Sequence, residues 1–376
     1  MLISRFPPHI GGTEIQCFRL SRALVSRGHE VRVLTEGSSG QPAESVVDGV
    51  RIRRFCVVGK PPFSSFLYAM KCLAYLVTHR NVDVLHAHMI ATPAVVAIGA
   101  GSVLRIPVLV KVAGARQTGD IGTSRRLMRG RLKLWLFKKL ARFVVCPSDE
   151  TIQELKALGL PDDRLHKIPN GVDISRFSPE EEGSRIALRE RLGLPADRLI
   201  AVYAGRWAEG KGVETLLGIW RDGLNRPSWR WDLLLLVSEP LSQGQREQLK
   251  TLNGHAHMQF KIEDPAPYFK TSDLAVLLSK GEGISNFLLE AMACGLPTLT
   301  SETAALSKSP ERMDWGFVVD DSHQALAVLE QLERNAELGA EKGARARKKI
   351  EQEFSIDEVA QGYETLYKRM IGPRII

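Results

Sequence analysis

Residues 168–185 read IPNGVDISRFSPEEEGSR. An Asn-Gly pair, two prolines and three successive glutamates break an otherwise regular rhythm, which marks a linker between domains. Before it, Val/Leu-rich runs read as strands: VRVLT (31–35), VDVLHAH (82–88), PVLVKV (107–112) and RFVVCP (142–147). Amphipathic stretches at 13–26, 63–79, 92–103 and 124–140 alternate with them as helices. After it the rhythm restarts with LIAVYAG (199–205), WDLLLLVS (231–238), DLAVLLS (273–279) and PTLTS (297–301). Continuous apolar strands alternating with helices predict parallel sheets covered on both faces. The expected fold is α/β, with two doubly wound, Rossmann-like domains, 1–178 and 179–354, facing a cleft. Ligands of such sheets bind beyond the carboxyl ends of the strands.

Composition agrees with this size. The chain has 376 residues, 44% hydrophobic and 25% charged, which excludes a disordered or fibrous protein and favours two domains. No uncharged apolar run reaches the roughly 18 residues of a membrane span. The start, MLISRFPPHIGG, lacks a basic segment followed by a long apolar core, so no signal peptide is read there. Five scattered cysteines without a C-x-x-C pair argue against a disulfide framework or zinc ribbon and fit buried thiols in a reducing cytosol. The net charge of +8 is uneven: residues 1–180 hold 26 Lys and Arg against 14 Asp and Glu. The N-terminal half is therefore expected to face an anionic partner.

Three segments could carry chemistry. In SKGEGISNFLLEAMACGLPTLTS (279–301), a strand ends at Ser279, glycines flank Glu282, and a helix starts near Ser285-Asn286. The free N–H groups of that start suit an anion such as phosphate. Glu290 could accept hydrogen bonds from the vicinal hydroxyls of a ribose. The spacing alone fits equally well a plain strand–loop–helix turn with two solvated glutamates. In YAGRWAEGKGVETLL (203–217), Arg206 and Lys211 bracket a strand-to-helix loop and could clamp a diphosphate. Two solvated surface charges would look the same. In PPHIGGTE (7–14), Gly11-Gly12 before a helix offers a second amide cradle, although G-x-G-x-x-G is absent.

These segments, in this order, resemble family 4 of the retaining glycosyltransferases (glycosyltransferase group 1), which have the GT-B fold. His86-Ala87-His88 and Ile168-Pro169-Asn170-Gly171-Val172-Asp173 with Phe177 add to the likeness, which runs over nearly the whole chain. Its most specific parts are E-x7-E at Glu282 and Glu290, followed by Ala291 to Pro297, and R-x4-K at Arg206 and Lys211. The resemblance implies that the C-terminal domain holds a nucleotide-diphosphate sugar, of UDP or GDP, and that the N-terminal domain holds the acceptor. It implies that the last helix, 356–370, crosses back, so 355–376 joins the first domain. It assigns Arg206, Lys211 and Glu282 to catalysis. Gly11, Gly12, Gly283, Ile284, Ser285, Asn286 and Glu290 fall to the donor, and His88 and Lys111 to the acceptor or sugar.

Three positions depart from the family pattern. Ala113 replaces a histidine after the fourth strand, Ser238-Glu239-Pro240 replaces a Gly-rich turn, and Ala304-Ala305-Leu306-Ser307 replaces Gly-Gly-x-x-Glu. Each bears on sugar contacts more than on the diphosphate.

His86 and His88 are read as facing opposite sides of their strand, with His88 nearer the cleft, and two histidines do not make a metal site. No Asp-x-Asp occurs anywhere. A metal-independent reaction is expected, with cationic side chains stabilising the leaving group and no further cofactor. The stretch SRRLMRGRLKLWLFKKLAR (124–142) has eight cations, no acid, and Trp and Phe among its apolar residues. It suits an anionic membrane surface, or else packs on the core with a solvated basic face. The expectation is a retaining transferase acting on a lipid-linked or polysaccharide acceptor for the cell envelope, in the cytoplasm on the inner face of the membrane. A nucleotide-sugar epimerase or hydrolase on the same fold is the alternative. A nucleic-acid binder is the third reading, which no RNA-binding signature or aromatic platform supports.

Overall fold

The run WDLLLLV buries all seven of its side chains, as a strand covered on both faces must. In the computed structural model the described residues are 1–8, 11–38, 40–59, 62–114, 120–125, 128–281, 284–306 and 311–372. The chain divides into two compact units, Met1–Gly171 with Ile356–Ile376, and Val172–Ser355.

Unit 1 runs α1 (Gly12–Ser26), β1 (Arg32–Gly37), β2 (Glu44–Val47), β3 (Val50–Cys56), α2 (Phe63–Thr78), β4 (Leu85–His88), α3 (Thr92–Leu104), β5 (Val108–Lys111), α4 (Asp120–Arg125), α5 (Met128–Leu140), β6 (Phe143–Cys146), α6 (Asp149–Ala157) and β7 (Leu165–Lys167). Its sheets have strand orders β1-β3-β2 and β4-β5-β6-β7. Leu2 bridges Leu34 and Ala87, so the residues before α1 lie between β1 and β4. The hairpin β2–β3 is antiparallel and was not anticipated. It turns at Asp48-Gly49, a dipeptide between Val-rich runs that signals such a turn.

Unit 2 runs α7 (Glu182–Leu192), β8 (Leu199–Gly205), α8 (Val213–Leu224), β9 (Trp231–Val237), α9 (Gln243–Lys250), β10 (Ala256–Phe260), α10 (Ala266–Lys270), β11 (Leu274–Leu277), α11 (Asn286–Ala293), β12 (Thr298–Ser301), α12 (Arg312–Trp315), β13 (Gly316–Val319), α13 (Ser322–Arg334) and α14 (Ala336–Glu353). A final helix, α15 (Ile356–Ile371), belongs to unit 1. The six strands are parallel, in the order β10-β9-β8-β11-β12-β13. Trp220 and Trp231 are among the largest fully buried side chains. The Trp231 indole keeps its polar edge satisfied by donating to the Leu329 carbonyl at 3.1 Å.

The unit boundaries differ from the expected 178/179 and 354/355. Val172 N–H donates to the Phe354 carbonyl at 2.9 Å, and Phe177 is fully buried against Phe269. The segment 172–177 therefore belongs to the core of unit 2. Helix α7 begins at Glu182, inside the stretch read as linker. The helix expected over 124–140 is replaced by two, α4 and α5. Cys56 is exposed, whereas Cys17, Cys72, Cys146 and Cys294 are buried.

Candidate active site

In unit 2, β8 has β9 on one side and β11 on the other. The chain leaves β8 in one direction and returns on the opposite flank, and the crevice between β8 and β11 is the switch point where open α/β sheets bind ligands. Both segments expected to hold a donor start there. The loop after β8 carries Arg206 and Lys211, and the loop after β11 leads to Ser285 and Asn286.

These loops are joined by backbone. Lys280 N–H donates to the Gly210 carbonyl at 2.8 Å. Gly212 has φ +79, and a Cβ there would stand 2.2 Å from the Leu278 carbonyl oxygen. Only glycine fits, because the conformation is left-handed and the obstacle is backbone. Tyr203 Oη donates to the Arg206 carbonyl at 2.8 Å, and Trp207 Nε1 donates to Glu214 at 2.9 Å. Those bonds fix the backbone of Arg206 while its side chain stays exposed; Lys211 is half-buried.

On the other loop, the Ser279 carbonyl accepts from Ser301 Oγ and Thr303 Oγ1, each at 2.6 Å. Ser285 caps α11 by accepting from Leu288 N–H at 3.5 Å, and Ile284 packs on the unit 2 core. Asn286 opens the helix, at the end where the macrodipole is positive. Glu290 lies on the same helix and is only 7% exposed, so it is not a solvated surface glutamate. Glu282 and Gly283 lie outside the described residues.

Arg347 was not anticipated. From α14 its Nη1 donates to the carbonyls of Ala293, Phe177 and Ile174 at 2.6, 2.7 and 3.2 Å. It thus ties the C-terminal end of α11 to the entry segment of unit 2. In the sequence it sits within RARKK, which reads as a solvated run.

In unit 1, Gly11 is the N-cap of α1 with extended backbone, and Gly12 begins the helix. The Glu14 carboxylate lies against Gly11, so an acid already stands at this amide cradle. His86 and His88 share a face, with rings stacked at 4.4 Å. The expectation of opposite faces is wrong because residues two apart on a strand point the same way. His86 Nδ1 is 2.7 Å from Tyr367 Oη on α15. Lys111 pairs with His88 across the strands, and its Nζ lies 5.9 Å from the centre of the Tyr363 ring. His88 and Lys111 are buried, at 1% and 4% exposure. Burial lowers Lys111 to about 8 and holds both histidines well below their usual range, with neighbouring positive charge acting in the same direction on the histidines. Among the described residues no three His, Cys, Asp or Glu side chains gather as metal ligands.

Helix α5 buries Leu134 and Phe137 and exposes Leu132, Trp135 and Leu140. Among the described residues no helix is long and apolar enough to cross a membrane.

Comparison with known proteins agrees with this layout. The family model for Glycosyltransferase Family 4 matches residues 10–176, and that for Glycosyl transferases group 1 matches residues 198–335. N-acetyl-alpha-D-glucosaminyl L-malate synthase of Bacillus anthracis is 23% identical over 96% of this chain and 94% of its own. A D-inositol 3-phosphate glycosyltransferase of Geodermatophilus obscurus is 28% identical over 96% and 86%. The fold is also that of Anabaena HepE, solved in complex with UDP and glucose (TM-score 0.78, 17% identity, 97% and 98% coverage). With its two Rossmann-like units and both family models in order along it, the chain belongs to the family 4, group 1 glycosyltransferases of the GT-B fold.

Proposed function

We propose that the protein moves a hexose from a UDP- or GDP-sugar to a lipid-linked or saccharide acceptor, with retention of anomeric configuration and without a metal ion. The observation that carries this reading is the backbone bond between Lys280 and Gly210, which sets the Arg206–Lys211 loop beside the loop leading to α11. The loop with the two cations and the helix that starts at Asn286 and carries the buried Glu290 then both follow strands that flank one switch point. The HepE structure with UDP and glucose, and the relatives' names, support a nucleotide-sugar donor.

In this reaction the bond between the anomeric carbon and the diphosphate oxygen breaks. The acceptor oxygen bonds to the same carbon on the face the diphosphate leaves. The acceptor proton passes to the leaving phosphate oxygen, so nucleoside diphosphate and glycoside are the products. Negative charge grows on that oxygen in the transition state, where fixed cations act most strongly. Arg206, Lys211 and the start of α11 at Asn286 stabilise it, Glu290 holds the ribose, and Glu282 approaches the sugar.

On this reading the basic helix α5 seats the enzyme at the cytoplasmic face of an anionic membrane, where a lipid-linked acceptor is presented. A small soluble anionic acceptor is the second reading, favoured by the malate and inositol phosphate in the relatives' names. Incubation with radiolabelled UDP- and GDP-sugars, with and without membrane lipid extract and with and without EDTA, tests both. Label entering the organic phase in the presence of EDTA is the expected result. Release of free sugar alone would instead make the protein a hydrolase.

A further inference from the structure

Helix α2, FSSFLYAMKCLAYLVT, is apolar on both faces. Ser64, Tyr68, Cys72 and Leu76 face the core, while Phe63, Phe66, Met70 and Val77 are exposed at 56%, 60%, 50% and 39%. The outward residues recur at three- and four-residue steps or their multiples, so they form one stripe along the helix. Nothing among the described residues covers it.

The stripe does not stand alone. Helices α2, α3 and α5 contribute to one core cluster together with β4, β5 and β6, through Tyr68, Ala97 and Phe137. They therefore form one layer over one face of that sheet, and their outward sides look the same way. The outward positions of α3 include the small residues Gly99 and Ser102, with Val103 exposed near its end. On α5 the outward residues are Leu132, Trp135 and Leu140 among Arg131, Lys138 and Lys139. The Lys139 ammonium stands 4.5 Å from the centre of the Trp135 ring. Half of the large apolar side chains exposed among the described residues lie on these three helices. No Asp or Glu occurs in any of them.

We propose that this three-helix layer is a membrane-seating face, in which the α2 stripe inserts among the acyl chains of an anionic bilayer while the α5 cations engage its headgroups. The inference rests on the reading of α5 as a membrane helix and adds the inserting element. Exposed Phe and Met next to Trp and Lys suit the boundary between headgroups and hydrocarbon. The absence of any acid on α2, α3 and α5 matches a negatively charged surface, whereas α6, which shares the same core cluster through Leu155, carries Asp149, Glu150 and Glu154. Charge alone would give attachment that salt dissolves, whereas an inserted apolar stripe holds at high salt.

Flotation with vesicles of phosphatidylcholine and phosphatidylglycerol, at low and high salt, tests this on the full chain. Three proteins are compared: wild type, Phe63→Ser/Phe66→Ser/Met70→Ser, and Lys138→Gln/Lys139→Gln. Wild type should float with anionic vesicles and stay bound in high salt. The α2 variant should bind about tenfold or more weakly, since three exposed apolar anchors are lost. What binding it keeps should vanish with salt. The α5 variant should lose affinity mainly at low salt. If the α2 variant floats like wild type at both salts, the inserting stripe is wrong while the α5 reading stands. If wild type does not float at all, both fall. If wild type is dimeric and the α2 variant monomeric, with neither floating, a second copy covers the face and the proposal is overturned. Circular dichroism of each variant separates lost binding from lost fold.

Discussion

The backbone N–H of Lys280 donates to the carbonyl of Gly210 at 2.8 Å, joining the loop after β11 to the loop after β8. Residues far apart in sequence thereby come together at one end of one sheet. This bond and the close passage of Gly212 under Leu278 make the two loops a single structural element.

Gly212→Ala should therefore damage the site as well as the fold. A non-glycine residue in this left-handed conformation costs on the order of 1–3 kcal/mol, and the new Cβ would also press on backbone. Urea unfolding should show at least that loss, and turnover should fall more than the remaining folded fraction explains. A variant with wild-type stability and rate would show the loops to be independent.

Arg206→Ala should raise the barrier by about 2.7–4 kcal/mol, the range for losing one preorganised charge-stabilising donor. Arg206→Lys should be a poor substitute if the contact with the diphosphate is bidentate. Steady-state kcat/KM with the identified donor measures both. Unchanged turnover of Arg206→Ala would return this residue to the solvated surface.

Glu290→Gln should mainly raise the donor KM, because Glu290 is assigned to the ribose. Glu282→Gln should mainly lower kcat, because Glu282 is assigned to the sugar. The split between the two constants is the readout. Negligible effects from both would remove the donor assignment of this segment.

Lys111 gives a pH signature. Burial lowers its folded value to about 8 from the usual 10.5, so the unfolded chain binds more protons between those values. Stability should rise with pH across that window, and below it the buried ammonium is a net cost. Lys111→Met should stabilise the protein at pH 7 by up to about 3 kcal/mol, and the gain should close toward pH 10.5. Equilibrium unfolding at pH 7 and 10 measures this; a variant less stable than wild type at pH 7 would contradict it.

Four of the six parallel strands of unit 2 were legible, because runs such as LIAVYAG and WDLLLLV are long, apolar and largely buried, whereas β10 and β13 were not read from the sequence. The strand–loop–helix layout of the two segments proposed to hold the donor was legible because glycines, cations and helix starts stand at strand ends. Less was legible where tertiary contacts decide. Phe177 reads as linker but belongs to a core, since its partner Phe269 is distant in sequence. Arg347 reads as a surface charge, and only the arrival of three carbonyls from other segments makes it structural. The α2 stripe was hidden because a helix apolar on both faces looks from its sequence like a core helix. The shared face of His86 and His88 could have been read correctly from strand geometry.

The central claim is transfer with retention, driven by the cations and helix start of unit 2. Its most direct test is the anomeric configuration of the isolated product, read from its proton NMR spectrum against that of the donor sugar. The account predicts the configuration of the donor. An inverted product would contradict it.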